Sequence, residues 1–455
     1  MKIVNDINKH IFRGYDIRGI YGEDLNEDVA YTIGKGFGSY IQNLGKTVAI
    51  VGYDNRASSP ELSNAFIKGA TETGITVYNL GLVTTPMYYY SWGKLGVVSG
   101  AMITASHNPK EYNGFKIAFD ERGNACGDMI QDFRSYIEKG VFKQGNGNER
   151  KVDIKDEYIN YIKSSIDLGN RKVKVVLDAG NGTASIAIKE AFKGLNVDAE
   201  YIFCDSNPDF PNHHPDPSVE DNLQLLKQKV LETGADLGLG LDGDADRVGA
   251  IDEQGNFIPV DYLMIIICRS IYDKIKNKKV LYDVKCSKSL ADELDKLGLE
   301  KVAYRIGNSY MKAKMRDGDF NFGGELSGHL FFRDKFSGFD DGIYACLRLV
   351  EILSNTDKNF SELLEGINKY YSTPEIKIKS TDEEKFNVVE NVKSYAISKG
   401  YNINTIDGVR VEFNDGWALV RASNTGPELT LRFEGVTEKR MNEIKDEFMG
   451  VIHKK

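Results

Sequence analysis

The chain has 455 residues, of which 41% are hydrophobic and 27% charged, and its formal net charge at pH 7 is −9. At roughly 150 residues per domain this length predicts about three domains, and the composition is that of a globular protein rather than a disordered or fibrous one. The negative charge argues against general nucleic-acid binding, which needs a basic face to displace counterions, so an anionic ligand would need cations placed locally.

Membrane insertion and secretion are not expected. The longest apolar cluster, at 263–268, is too short to span a bilayer and predicts a buried helix. The N-terminal stretch MKIVNDINKHIFRGYD lacks the apolar core of a signal peptide. The five cysteines are odd in number and show no paired metal spacing. We therefore expect a cytoplasmic protein without membrane partners.

Three segments share one pattern, a basic lead-in followed by a buried strand, a polar or small turn and an amphipathic helix. They begin at Lys46, Arg171 and Lys278. Because their spacing is as large as a domain, they predict three successive α/β domains rather than a short-period repeat.

The C-terminal region has a different pattern. From about Ser372 it predicts a strand at 375–378, a helix at 383–398, and the strands GVRVEF and WALVRAS joined by the turn residues 414–416. LTLRFE and a closing helix follow. The expected fold class is α/β, with three similar α/β domains plus a C-terminal antiparallel α+β domain. The predicted domains are 1–150, 151–254, 255–366 and 367–455.

The stretch AMITASHNPKEYNGFKI places Ser106 on a turn-rich loop directly after a predicted strand. Loops anchored by a rigid strand often carry chemistry, although Ser, His and Asn are also ordinary turn formers. A hydrolase elbow would need Gly two residues on either side, where this chain has Thr104 and Asn108. The stretch disfavours a serine esterase and leaves the role of Ser106 open.

The run DLGLGLDGDADRVGAID carries Asp242, Asp244 and Asp246 at alternate positions between two predicted strands. Close carboxylates repel one another, and a hard divalent cation such as Mg²⁺ relieves that repulsion. A calcium EF-hand is the competing reading, because Glu253 falls at the twelfth position. Arg247 occupies the sixth position, where an EF-hand needs Gly, and strands replace the helices. A solvated acidic turn is the plainer alternative.

The loop NFGGELSGHLFF offers Glu325, Ser327 and His329 between aromatic residues. Glycines let a loop approach a ligand closely, and a carboxylate with a hydroxyl suits the hydroxyl pairs of a sugar. A plain turn explains the same residues equally well.

The stretch LVRASNTGPELTLRFE sets Arg421, Ser423, Asn424 and Thr425 around a Gly-Pro turn, with Arg432 on the returning strand. A guanidinium, two hydroxyls, an amide and backbone N–H groups can form a phosphate clamp. A well-bonded hairpin loop is the alternative.

Five motifs of this chain together resemble those of the α-D-phosphohexomutases, most closely their bacterial phosphomannomutase/phosphoglucomutase branch. They are FRGYDIRG at 12–19, TASHNP, DGDADR, GELSGH and RASNTGPELTLRFE. The motifs follow the family's order and extend over 12–434. The resemblance implies four domains around a central cleft, with one motif from each. It also implies an isomerase that interconverts hexose 1-phosphate and hexose 6-phosphate through a phosphoserine enzyme and a hexose 1,6-bisphosphate.

The resemblance assigns roles to individual residues. Ser106 would carry the phosphoryl group and join the aspartates in holding Mg²⁺. Arg18 and Lys116 would flank that group, and Lys116 or His329 would act as acid or base. Relatives often have an aromatic or imidazole side chain near position 308, so the substrate contact of Asn308 is open. The substrate-binding residues implied are Tyr15, Arg247, Lys285, Gly307, Asn308, Glu325, Ser327, Arg421, Ser423, Asn424, Thr425 and Arg432.

Three other functions would be expected to come with different residues at these positions. A phosphoglucosamine mutase usually has Gln where this chain has Leu326, and Gly-Thr-Glu where it has Asn-Thr-Gly. A phosphatase would pass the phosphoryl group from the serine to water and would need no second phosphate clamp. A silent sugar-phosphate sensor would lack Ser106 or the aspartates. The expected partners are hexose phosphates. The protein is expected to be a monomer or a small homo-oligomer. The sequence does not decide whether mannose or glucose is the preferred sugar.

Overall fold

The computed structural model describes residues 1–381, 383–423 and 426–453, which form four sheet-based units in chain order. Short 3₁₀ helices at Lys9–Ile11, Thr183–Ile186, Glu220–Leu223 and Ser361–Leu364 connect some of the longer elements. Within the described residues, none of the helices is both long and apolar enough to cross a membrane.

The first unit is a mixed sheet flanked by four helices. Its strands are β1 (Ile17–Ile20), β2 (Val48–Tyr53), β3 (Thr76–Leu82), β4 (Gly100–Ile103), β5 (Tyr112–Ala118) and β6 (Glu149–Lys151). Its helices are α1 (Glu27–Asn43), α2 (Ser59–Thr71), α3 (Thr85–Leu95) and α4 (Asp128–Glu138). The strand order is β1-β5-β4-β2-β3-β6, with β2, β3, β4 and β6 parallel and β5 antiparallel to β4. Gly34 and Gly69 let α1 and α2 pack backbone to backbone, because a Cβ on either would meet a carbonyl oxygen at 2.2 Å.

The second unit is a five-stranded sheet with three helices. It contains α5 (Lys155–Ser164), β7 (Val173–Asp178), α6 (Ile188–Phe192), β8 (Val197–Ile202), α7 (Gln224–Thr233), β9 (Leu237–Leu241), β10 (Val248–Asp252) and β11 (Phe257–Ile258). The strand order is β11-β10-β9-β7-β8. β9 and β10 form an antiparallel hairpin, and the predicted acidic run 242–247 is its turn.

The third unit has four strands and four helices. It contains α8 (Val260–Ile271), β12 (Lys279–Asp283), α9 (Lys288–Lys296), β13 (Glu300–Tyr304), α10 (Asn308–Asp317), β14 (Phe322–Gly324), β15 (Leu330–Phe332) and α11 (Gly342–Ser354). The strand order is β13-β12-β14-β15. The buried helix predicted around 263–268 is confirmed as α8. The strand–helix pairs β2–α2, β7–α6 and β12–α9 confirm the three repeated segments.

The fourth unit is an antiparallel sheet with two helices. It contains β16 (Tyr371–Ser372), β17 (Ile376–Lys379), α12 (Glu384–Ser398), β18 (Asn402–Asn404), β19 (Val409–Phe413), β20 (Gly416–Ala422), β21 (Glu428–Gly435) and α13 (Glu438–Ile452). The strand order is β16-β21-β20-β19-β18, and β17 also pairs with β21. Phe413 pairs with Gly416, so the two residues between them make the predicted hairpin turn.

The apolar cores show how the units are joined. One continuous core runs from Met102 in the first unit through Leu177 in the second to Phe332 in the third. The fourth unit has a core of its own, centred on Val411 and Phe433. β6 extends the first sheet as far as residue 151, and the domain boundaries at 150, 254 and 366 stay predictions.

Candidate active site

Ser106 lies on the loop that leaves β4, and its side chain points toward the second unit. Its φ of +50° is in the left-handed region, which costs a non-glycine residue about 1–2 kcal/mol. The Oγ1 atom of Thr104 accepts a hydrogen bond from the Ser106 N–H at 2.8 Å. The Ser106 hydroxyl donates to Oδ2 of Asp242 at 2.8 Å, and the residue is only 2% exposed.

Arg56, which lies between β2 and α2, holds the rest of this loop in place. Its guanidinium is buried and donates to four backbone carbonyl oxygens of the loop. Asp54 lies 3.2 Å from its Nε atom and balances the charge. The loop conformation therefore depends on one arginine 50 residues away in sequence. The four acceptors are the carbonyls of Ser106, Asn108, Pro109 and Tyr112.

Three fully buried aspartates lie on the β9–β10 turn and share one small volume. One ligand oxygen from each of Asp242, Asp244 and Asp246 lies within 4.8 Å of the others. Burial, and then the two neighbouring carboxylates, raises the pKa of Asp242 well above its usual range. Oδ1 of Asp244 and Oδ1 of Asp246 have no hydrogen-bond partner in the described part of the chain. This all-oxygen donor set with orphaned oxygens fits a hard divalent metal ion.

The serine loop and the acidic turn touch through their backbones. A Cβ on Gly243 would lie 2.4 Å from the carbonyl oxygen of Ser106, so only glycine permits this approach. Ser106 is thereby held against the aspartates.

Lys116, on β5, reaches into the same cluster. Its Nζ atom lies 2.8 Å from Oδ2 of Asp244 and 2.5 Å from Oδ2 of Asp246. Burial alone would lower the pKa of Lys116, but the two carboxylates outweigh burial and raise it well above its usual range. The same contact holds the pKa of Asp244 below its usual range despite burial. Oγ1 of Thr85, at the start of α3, also donates to Asp244, at 2.7 Å.

Arg18 and Tyr15 are two further residues of the first unit at the site. The guanidinium of Arg18 lies 2.6 Å from Oδ2 of Asp16 and donates to Oδ1 of Asn108 at 2.9 Å, so it borders the serine loop. The ring of Tyr15 lies against Gly307 in the third unit, where a Cβ would be 3.1 Å from the ring. Burial, and then the charge of Asp16, raises the pKa of Tyr15.

The loop between β14 and β15 presents Glu325 and Ser327. Oε1 of Glu325 accepts the backbone N–H of Gly307 at 2.7 Å, while its buried Oε2 has no partner among the residues described. Burial raises the pKa of Glu325. One carboxylate, Asp283, accepts the N–H groups of both Leu326 and Lys285, and so joins this loop to the one after β12.

His329 is held between a guanidinium and a carboxylate. Its Nε2 atom accepts a hydrogen bond from Nε of Arg247 at 3.0 Å, and its Nδ1 atom lies 2.9 Å from Oδ2 of Asp340. Because arginine can only donate, the ring proton must be on Nδ1, facing Asp340. Lys312 and Asn308 donate to Asp340 at 2.9 and 3.1 Å. Asn308 therefore acts on Asp340 in this structure.

A second group of charges lies where the third and fourth units meet. Nζ of Lys285 lies 3.1 Å from Oε2 of Glu375, and Nε of Arg421 lies 3.2 Å from Oδ1 of Asp407. Nη2 of Arg421 is buried and has no partner within the described residues. Arg432, predicted to bind phosphate, donates to the backbone carbonyl of Lys285. Its guanidinium thus supports the backbone at Lys285, just after β12.

The predicted phosphate loop follows β20. Ser423 is buried, and Nζ of Lys385 donates to its carbonyl at 3.0 Å and to that of Gly426 at 3.1 Å. Asn424 and Thr425, predicted at the tip of this loop, lie outside the described residues.

Comparison with known proteins identifies the family. The models of alpha/beta/alpha domains I, II and III of phosphoglucomutase/phosphomannomutase match residues 9–144, 156–255 and 259–370, and that of the C-terminal domain matches 375–451. A phosphomannomutase/phosphoglucomutase of Pseudomonas putida is 40% identical over 440 residues, covering 96% of this chain and 94% of that protein. This chain belongs to the phosphoglucomutase/phosphomannomutase family.

Other members of the family agree along the whole chain. A phosphoglucomutase of Neisseria meningitidis serogroup A is 41% identical over 453 residues, which cover 98% of this chain and 97% of that protein. A solved phosphoglucomutase/phosphomannomutase family protein of Burkholderia thailandensis superposes with a TM-score of 0.91 at 36% identity, covering 98% of each chain. The predicted family and fold class are confirmed, and the chain is an isomerase of the phosphohexomutase type.

Within this family fold, several groups around the predicted residues were missed by sequence reasoning. Arg56 and Thr85 support the serine loop and the acidic turn, Asp340 and Lys312 support His329, and Glu375 faces Lys285. The Asp340–Asp341 doublet before a helix was a usable signal. The other four residues stand in unremarkable local sequence.

Proposed function

We propose that this chain interconverts the 1-phosphates and 6-phosphates of mannose and glucose, through phosphorylated Ser106 and a hexose 1,6-bisphosphate. The observation that carries this proposal is the 2.8 Å contact of the Ser106 hydroxyl with Asp242, inside a buried cluster of carboxylates. A buried serine beside a divalent metal site suits phosphoryl transfer rather than acyl transfer. Family membership supports the same reaction.

Each half of the reaction is one phosphoryl transfer. The bond between phosphorus and Ser106 Oγ breaks as a sugar hydroxyl oxygen bonds to phosphorus, and the hydroxyl proton passes to a base. The bisphosphate then turns around, and the phosphorus of its other phosphoryl group bonds to Ser106 Oγ as its bond to the sugar oxygen breaks. The base returns its proton to that sugar oxygen, so Ser106 is again phosphorylated and the base is again free to accept a proton in the next cycle. Two transfers through a covalent intermediate replace one difficult direct migration.

Mg²⁺ is the ion that fits this site best. Asp242, Asp244, Asp246 and Ser106 would hold it, and it would neutralise charge on the phosphoryl oxygens during transfer. Lys116, kept charged by two carboxylates, lies beside the same position and can donate to those oxygens.

His329 is placed to accept the proton of the sugar hydroxyl. Its Nδ1–H faces Asp340, so its Nε2 lone pair is the free basic position once Arg247 turns to the substrate. The Asp340 carboxylate then stabilises the imidazolium that forms. Lys116 has no comparable lone pair, because the two neighbouring carboxylates raise its pKa and keep its amine protonated.

The two ends of the substrate are recognised differently. The unpartnered Oε2 of Glu325, with the Ser327 hydroxyl, suits sugar hydroxyls that mannose and glucose share. Lys285 and Arg421 suit the distal phosphate and do not read the sugar, which permits both orientations of the bisphosphate. The five cysteines are free thiols, consistent with the cytoplasmic setting that we propose.

A coupled assay of the purified protein on mannose 1-phosphate, glucose 1-phosphate and glucosamine 1-phosphate tests this function. We expect turnover of the first two, dependence on Mg²⁺ and activation by a hexose 1,6-bisphosphate. Inorganic phosphate released without any 6-phosphate would show a phosphatase. Preference for glucosamine 1-phosphate would show a phosphoglucosamine mutase.

A further inference from the structure

Lys285 forms an ion pair with a carboxylate of this chain, that of Glu375. It follows β12, and Glu375 stands one residue before β17, in the segment that leads into the fourth unit. The two charged atoms are 3.1 Å apart, and the side chains are 12% and 35% exposed. A half-shielded pair attracts more strongly than a fully exposed one, because less water screens the charges.

The two ion pairs at this place balance each other. Lys285 and Arg421 supply two cations, and Glu375 and Asp407 supply two carboxylates. The Lys285 ammonium is the largest influence on Glu375 and, against the effect of burial, holds its pKa below the usual range, so Glu375 is ionised at neutral pH. A phosphate monoester arriving here finds both cations paired with carboxylates unless one carboxylate moves away.

The two carboxylates differ in how firmly they are held. Oδ1 of Asp407 contacts Arg421, and its Oδ2 accepts the backbone N–H of Ile306 at 2.9 Å. Removing Asp407 would leave a backbone donor unsatisfied. The Glu375 side chain has no hydrogen-bond partner other than Lys285 in the described ranges, and a third of it is exposed. Glu375 is therefore the carboxylate that can leave.

We propose that Glu375 is the internal counter-ion that Lys285 exchanges for a substrate phosphate. The carboxylate holds the ammonium between phosphates and takes it back as a phosphate departs. This inference rests on the proposed function, because it takes the ligand of Lys285 to be the distal phosphate of a hexose phosphate. It assigns Glu375 a role in releasing the bisphosphate so that it can turn.

The exchange affects ground-state binding and release more than the transfer itself. A competing carboxylate weakens phosphate binding in substrate and transition state alike, so it raises KM. It also shortens the time for which the bisphosphate stays gripped in one orientation. Removing the charge should therefore tighten binding and slow the step in which the bisphosphate turns.

Glu375→Gln is the variant that tests this, since an amide of the same shape can still accept from Lys285. We expect the Kd for glucose 1-phosphate and for inorganic phosphate to fall about three- to tenfold, by calorimetry at low salt. We expect KM to fall with Kd, and kcat to fall about two- to fivefold. Asp415→Asn is the matched control, because it removes one carboxylate from an exposed ion pair of the same unit, 2.9 Å from Arg440, and should change none of these constants.

A double-mutant cycle with Lys285→Met decides whether the gain passes through Lys285. The gain in phosphate affinity should vanish when Glu375→Gln is made in the Lys285→Met background. Unchanged or weaker phosphate binding in Glu375→Gln would overturn the inference and make Glu375 a support for Lys285. A gain that persists without Lys285 would also overturn it.

The binding comparison is independent of turnover. If the protein isomerises no hexose phosphate, the proposed function fails, whereas the affinities for inorganic phosphate still decide whether Glu375 competes for Lys285. Thermal midpoints of all variants, and Glu375→Ala as a second variant, separate loss of folding from loss of charge.

Discussion

The hydroxyl of Ser106 and Oδ2 of Asp242 lie 2.8 Å apart, although the two residues belong to different units and are 136 positions apart in sequence. This contact places the serine that we propose as the nucleophile, on one sheet, against the aspartates that we propose as the metal site, on another. Chemistry at Ser106 therefore requires both units to keep their relative position.

Ser106→Ala should abolish isomerisation. Loss of a covalent nucleophile removes several orders of magnitude in rate, and only catalysis from positioning remains. Intact-mass analysis after incubation with glucose 1,6-bisphosphate should find one phosphoryl group on the parent protein and none on the variant. Normal turnover by the variant would show that another group is the nucleophile.

Asp244→Asn should weaken the dependence on Mg²⁺ and turnover together. Chelation should abolish activity, and Mg²⁺ should restore it where Ca²⁺ does not, because the turn lacks an EF-hand's glycine and helices. Glu253→Gln is the control, since Glu253 would be an EF-hand ligand but instead accepts a hydrogen bond from Ser361. Activity that survives chelation would exclude a catalytic metal here.

Asp340→Asn should lower kcat by about 10²- to 10⁴-fold and change KM little. Asp340 faces Nδ1 of His329, and an amide there no longer stabilises an imidazolium. Steady-state kinetics with glucose 1-phosphate measures the two constants separately. Asp334→Asn, which removes a carboxylate paired with Arg348 in the same unit, should leave kcat close to that of the parent. Equal kinetics for the two variants would contradict the role of Asp340.

Glu325→Ala should damage turnover of mannose and glucose phosphates alike. Glu325 offers one free carboxylate oxygen, and the two sugars differ only at carbon two, so a loop that reads shared hydroxyls cannot distinguish them. The ratio of the two kcat/KM values measures this. A large change in that ratio would show that the loop contacts carbon two.

The free energy of unfolding should decrease as the pH rises from about 4 to about 7, because of the ionisation of Asp341. Burial raises the pKa of this carboxyl, which caps α11, to about 7. Since an unfolded aspartate titrates near 4, the folded state binds the extra proton in this interval, and the unfolding free energy decreases as pH rises. Asp341→Asn keeps an acceptor for the N–H of Tyr344 and cannot ionise.

Urea unfolding midpoints of the parent and of Asp341→Asn from pH 4 to pH 8 measure this effect. The variant should lose part of the parent's decline and be the more stable of the two at pH 8. Parallel pH profiles would contradict the raised pKa.

Local pattern predicted the repeated strand–helix segments, the α8 helix and the 413–416 hairpin, because each depends on periodicity and turn residues within a short window. It also singled out the acidic turn, because carboxylates so close together repel one another unless a cation relieves the repulsion. It could not predict Arg56 or Glu375, whose contacts join positions far apart in the chain. The hydrogen bond of Arg432 to the Lys285 carbonyl could not be predicted either, because a guanidinium can bind a phosphate or a backbone carbonyl equally well.

The continuous core of the first three units has a thermodynamic meaning. Side chains from all three sheets pack in this core, although the first unit has a second core of its own, so we expect the three units to unfold cooperatively despite their separate sheets. The fourth unit has its own core, and it meets the third through the small apolar contact of Val284, Trp417 and Leu419 and through polar contacts such as that of Arg432 with the Lys285 carbonyl. The unit that carries Arg421 therefore shares no large apolar core with the other three, and we expect partial opening there to leave the contact between Ser106 and Asp242 in place.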